Sequence, residues 1–203
     1  TSSIDTLPDG TYSIGALQGQ LNVQPRKRGS HNGAITSFDA ALVAQHLVGL
    51  ITLNARQLIA ADANGTGAVV TNDASQIARF AIGSITELKM EADCNSAFAF
   101  VPAATVVANQ TLQQPNTDVR PPPAGPGCVY GEIRYNPLNV NAAGQDFIAI
   151  LMGDVSGNWL PPAGALAALQ HAATPAARQP TAKVPLGKKQ AKPGSIITLP
   201  ISV

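Results

Sequence analysis

The chain has 203 residues, of which 12% are charged and 4% aromatic, and its formal net charge is +1. The only basic groups of note are Arg26-Lys27-Arg28 and the scattered Lys183, Lys188, Lys189 and Lys192, which argues against nucleic acid, whose binding rests on clustered cations. No apolar run approaches the roughly 18 residues that read as a membrane span, and none is expected.

Residues 1–27 contain DGTYSIGALQGQLNVQP. Tyr12 and Ile14, then Leu21 and Val23, alternate as strand residues do, and the glycines between them predict a hairpin.

Residues 28–90 hold an internal repeat. NGAITSFDAALVAQHLVG, from Asn32, aligns without a gap with TGAVVTNDASQIARFAIG, from Thr66. Each unit predicts a tight turn, an extended contact at Ile35 or Val69, and then a helix. The first helix places Val43, Leu47 and Leu50 on one face, and the second places Ile77, Ala81 and Ile82 similarly. Ser37 and Asn72 stand where N-caps are favoured, and Gly49 and Gly83 where helices end. Between the units, NARQLIAA (Asn54 to Ala61) reads as a short connecting helix.

The loop before the second helix reads DANGTGAVVTND. Calcium is a hard cation that takes six to eight oxygens from spaced side chains, a backbone carbonyl and a closing carboxylate. Asp62, Asn64 and Thr66 fall at the first, third and fifth loop positions, Ala68 offers its carbonyl at the seventh, and Asp73 closes at the twelfth. Gly67 makes the sharp turn. The equivalent set in the first unit is Ser30, Asn32, the Ala34 carbonyl and Asp39. It is the poorer one, because Arg28 at the first position cannot ligate and repels a cation. Asn64-Gly-Thr66 and Asn109-Gln-Thr111 also read as glycosylation triplets.

Residues 91–160 contain three strand candidates, SAFAFVPAATVV, CVYGEIRYNPL and QDFIAILMGDVSGNW, with VRPPPAGPG joining the first two. Cys94 and Cys128 have no CxxC spacing, and the three histidines are scattered, so zinc lacks a ligand set. A single disulfide is the favoured reading and implies an oxidising compartment; two buried free thiols are the alternative. GDVSGNW opens like another D-x-S-x-N loop but has no later acid, and Trp159 is expected in the core. Residues 161–193 read as an Ala/Pro/Lys linker. Residues 194–203 end on a period-2 strand with Ile197, Leu199, Ile201 and Val203 on one face.

The two loops, D62-A-N64-G-T66-G67-A-V69-V-T-N-D73 and N32-G33-A-I35-T-S-F-D39, resemble the dockerin type I family. That family's loop runs D-x-N-x-D-G-x-V-x-x-x-D before a helix, in two copies, and the resemblance covers about residues 28–84. It implies a bacterial extracellular protein, calcium as a bound ion, and a cohesin-like β-sandwich as partner. The N-terminal segment resembles the last hairpin of a carboxypeptidase-regulatory-like or prealbumin-like sandwich. KAKPGSIITLPISV resembles the first strand of a cohesin-like sandwich.

The expected fold is therefore α+β: a small helical repeat packed with antiparallel β segments and followed by an extended C-terminal strand. A sandwich short of strands at one end and a strand short of a sandwich at the other predict strand exchange between copies, which builds filaments when it does not close. No G-x-S-x-G, H-E-x-x-H or phosphate-binding Gly loop is present, and no enzymatic role is expected. The leading expectation is a calcium-stabilised extracellular structural subunit that forms a surface fibre with itself. The alternatives are a dockerin-type module that docks to a cohesin, and a non-catalytic fragment of a larger secreted surface protein.

Overall fold

The computed structural model describes residues 5–7, 11–14, 19–129 and 131–161. Nearly all of the expected linker, and the strand of Ile197, Leu199, Ile201 and Val203, lie outside the described residues. In chain order the elements are β1 (Gly19–Val23), α1 (Ser37–Leu47), α2 (Ala55–Ala61), α3 (Thr71–Ala81), α4 (Lys89–Cys94), β2 (Phe98–Ala104), β3 (Gln110–Gln113), β4 (Glu132–Leu138) and β5 (Gln145–Leu151). Among the described residues, four helices and antiparallel sheets make this an α+β fold.

The repeat helices start where an aspartate at their third residue reaches back. Asp39 Oδ2 accepts the Thr36 N–H at 2.8 Å, and Asp73 Oδ2 accepts the Val70 N–H at 2.7 Å. The N-caps are thus Thr36 and Val70 rather than the expected Ser37 and Asn72. A Val can occupy that position because the carboxylate serves the cap from inside the helix. The connecting helix α2 has both halves of the exchange: Asn54 Oδ1 accepts from the backbone of Arg56 and Gln57, and Gln57 Oε1 accepts from that of Asn54.

α1 and α3 pack on each other. Val43 and Ile77, equivalent positions of the repeat, are both fully buried, each contributing about 1.5–3 kcal/mol. The expected apolar faces are trimmed: Leu47, Leu50 and Ile82 are 39%, 74% and 77% exposed. Both helices stop at or before these residues, and Gly49 and Gly83 then turn the chain out of the helical period.

Among the described residues the strands form a three-stranded sheet, β1-β4-β3, and a two-stranded sheet, β2-β5. Here the expected N-terminal hairpin is corrected. β1 pairs antiparallel with β4, from Gly19 opposite Leu138 to Val23 opposite Ile133, and Tyr12 and Ile14 are in no strand. Tyr12 instead donates its hydroxyl to the Gln145 carbonyl. An isolated two-stranded hairpin is marginal, whereas β4 carries the buried Ile133 and Tyr135 and offers β1 a packed neighbour.

One apolar core joins the layers. Val43, Ile77, Leu88 and Met90 from the helical half meet Phe98, Ile150, Leu151, Met152 and Val155 from the β half. Trp159 is half-buried against it, edge-on to Phe98 with ring centroids 5.1 Å apart. Cys94 at the end of α4 is disulfide-bonded to Cys128. The expected boundary between residues 90 and 91 falls inside α4. No helix among the described residues is long and apolar enough to cross a membrane.

Candidate metal centre

All five residues of the expected second loop come together between α2 and α3. Asp62 follows the last residue of α2, and its carboxylate accepts the Thr66 N–H at 3.0 Å and the Gly67 N–H at 2.7 Å, curling the loop over it. Asp73, in the first turn of α3, accepts the Asn64 N–H at 2.8 Å through the oxygen not used for the cap. The Thr66 hydroxyl donates to the Ala68 carbonyl at 3.3 Å.

The electrostatics of this loop are unbalanced. Asp62, Asn64 and Asp73 are 1%, 2% and 0% exposed, and neither carboxylate takes part in an ion pair among the described residues. Burial pushes the Asp73 carboxyl up to about 6, helped by the Asp62 charge and opposed by the amide hydrogen bonds. Asn64 Oδ1 is buried without a hydrogen-bond partner, the one such side-chain atom among the described residues. A buried acceptor of this kind costs roughly 1–3 kcal/mol when left unmade. The same burial closes Asn64 as a glycan acceptor, whereas Asn109 is exposed.

The first loop is built differently from the expectation. Asp39 is fully buried, and its Oδ1 accepts the Ser156 N–H at 2.8 Å. Ser156 belongs to the GDVSGNW segment after β5. Asp154 there accepts the Asn158 N–H at 3.1 Å through Oδ1 and the Trp159 N–H at 2.9 Å through Oδ2. Asp62 accepts from the residues four and five later in the same way, so DVSGNW lies over Asp39 as DANGTG lies over Asp73. The acid that GDVSGNW lacks in sequence is Asp39.

Ser30 and Asn32 accordingly turn toward this incoming segment. The Ser30 carbonyl accepts Trp159 Nε1–H at 2.7 Å, and Asn32 Nδ2 donates to the Leu160 carbonyl at 2.9 Å. Ala34 keeps its place at the turn, buried, with its N–H on the His31 carbonyl. Arg28, at the unfavourable first position, pairs with Glu87 at 2.8 Å. The sequence signal for this arrangement is the likeness of DVSGNW to DANGTG.

The Asp62 loop is also covered from outside. Val119 N–H donates to the Gly65 carbonyl at 3.0 Å, Asp118 forms a β-bridge with Thr66, and Met90 N–H donates to the Ala63 carbonyl at 3.4 Å. Among the described residues no three His, Cys, Asp or Glu side chains gather as a metal group. The loop instead combines two carboxylates with neutral oxygens, a donor set that suits calcium rather than a transition metal. Neither a protein-family model, nor a curated protein, nor a solved structure matches this chain.

Proposed function

We propose that this chain is a calcium-stabilised extracellular structural module. The observation that carries the reading is Asn64 Oδ1, which finds no hydrogen-bond partner among the described residues, set in a loop with two buried carboxylates that form no ion pair among those residues. Asp62, Asn64, Thr66, Asp73 and the Ala68 carbonyl would hold the ion, which supplies positive charge to a site the fold has already desolvated. The matching pattern around Asp39 extends the reading to a second ion on Asp154, Ser156, Asn158, Asp39 and the Ala34 carbonyl. The Cys94–Cys128 bond supports an oxidising location.

Self-assembly is the second part of the proposal. β1 and β3 lie at the edges of one sheet, and β2 and β5 each have one unpaired edge among the described residues. Such edges accept an added strand, and the alternating sequence of Ile197, Leu199, Ile201 and Val203 would supply one. The competing reading, docking to a cohesin-like partner, is favoured by a different observation. Val48 and Ile82, equivalent positions of the repeat, are 72% and 77% exposed beside Leu50.

Calcium titration calorimetry, with melting in calcium and in chelator, tests the first part. Binding and a higher Tm in calcium are expected, and both are lost in Asp62→Ala. Absence of either in the unmodified protein ends the calcium reading. Negative-stain imaging with and without residues 194–203 tests the second: filaments lost on truncation support exchange, and monodisperse particles throughout favour the docking module.

A further inference from the structure

We infer that the segment Asn116–Arg120, held by the Cys94–Cys128 disulfide, is a cover on the Asp62 loop, and that reducing this bond weakens the loop's hold on calcium. The inference rests on the calcium reading above and adds a redox control to it.

The links form a closed ring. The Ala63 carbonyl accepts from Met90 in the first turn of α4, and α4 ends at Cys94. Cys94 is bonded to Cys128; the next residue, Val129, accepts the Asn116 N–H at 2.8 Å through its carbonyl. Two residues further on, Asp118 bridges Thr66 and Val119 N–H reaches the Gly65 carbonyl. Every link but one is a hydrogen bond or the chain itself; the remaining one is covalent and reducible.

The fit of the cover is close. A Cβ added to Gly65 would lie 2.5 Å from Val119 Cγ2, and one added to Gly67 would lie 2.8 Å from Asp118 Cβ. Val119 is itself buried, so the contact excludes water from the Gly65 side of the loop. A rigid, desolvated loop binds with less ordering cost than a loose one. Without the disulfide, the segment between Asn116 and Val129 is held to α4 only by weaker contacts, and the loop loses that preorganisation.

One contribution runs the other way. Arg120 lies within the field of Asp62, so the cover also brings a cation toward the site. Arg120 is half-exposed, and its guanidinium is engaged by both oxygens of Asp118 at 2.7 Å. Its field is therefore largely neutralised and screened, and the ordering effect prevails.

Reduction by an external dithiol transfers two electrons and two protons to the bond, yielding the Cys94 and Cys128 thiols and the cyclic disulfide of the reagent. Because coupling is reciprocal, calcium in turn shifts the dithiol equilibrium toward the disulfide.

The test compares calcium titrations of the oxidised protein, the Cys94→Ser/Cys128→Ser double variant, and Val119→Gly with the disulfide intact. An affinity about tenfold lower in both variants, with helix content unchanged, is the expected result and sits within the usual range of coupling between sites. Affinity equal to the oxidised protein in both variants overturns the inference while leaving the calcium reading in place. No binding by the oxidised protein removes the calcium reading and this inference with it. If the double variant does not fold, Val119→Gly decides: unchanged affinity there overturns the cover. A dithiol redox titration of the unmodified protein, taken to equilibrium in calcium and in chelator, gives an independent readout, and equal midpoints count against the coupling.

Discussion

A buried amide oxygen with no donor raises the energy of the fold, and Asn64 Oδ1 is such an atom among the described residues. Asn64→Ala should therefore leave Tm in chelator unchanged or slightly higher while lowering calcium affinity in the titration. Asp73 differs, because its two oxygens also hold the Asn64 and Val70 amides. Removing such a helix-start acceptor typically costs about 1 kcal/mol, so Asp73→Ala should melt earlier with or without calcium. Tyr12 gives a prediction about pH. Burial pushes its phenol up from 10.0 to about 12, with Tyr135 and Asp146 acting in the same direction. A group whose folded value is raised contributes stability that is whole below the unfolded value and is lost as pH rises through the folded one. Urea unfolding should thus show a loss of stability between pH 10 and 12, and Tyr12→Phe should reduce that loss. Which residues the Asp62 loop brings together was legible one by one, since their spacing is local. The orphaned oxygen was not, because burial of Asn64 depends on what packs over the loop.

At the scale of elements, the loop glycines separate backbone strain from crowding. Gly33 and Gly65 have nearly the same left-handed φ, +70° and +69°, yet a Cβ at Gly33 would meet nothing within 4 Å. Gly33→Ala should cost only the conformational strain, about 1 kcal/mol. Gly65→Ala adds the collision with Val119 and should cost more, about 2–4 kcal/mol by the overpacking range; equal costs in chemical denaturation would count against the close cover. The repeat helices were readable from sequence because each keeps a buried apolar residue, Val43 or Ile77, one turn after its capping aspartate. α4 and β3 escaped, since KMEADC and QTLQ are too short to show a period. Their placement comes from neighbours: Gln110–Gln113 runs along β4, and Met90 on α4 is buried in the shared core.

Across the whole molecule, the helical repeat and the β layers are joined by the apolar core and by the Gly153–Trp159 segment. Asp154 accepts four hydrogen bonds there, from the Ser156 hydroxyl and from the backbones of Gly157, Asn158 and Trp159. Asp154→Ala turns those part-buried donors to water and loosens Ser156 from Asp39, at about 1–3 kcal/mol. Thermal unfolding followed by near-UV and far-UV signals should then lose its coincidence, with the Trp159 signal changing first; coincident curves would show the core alone holds the layers together.

The amino-acid sequence by itself determined the repeat, the turn of the DANGTGAVVTND loop and the α+β composition, because each depends on residues close together along the chain. Tertiary structure alone decided which strand β1 joins, and that Asp39 is completed by Ser156, a hydrogen bond spanning 117 residues. Pairings at that separation leave no periodic trace in the chain. They are selected by which buried donors and acceptors the assembled core leaves facing one another.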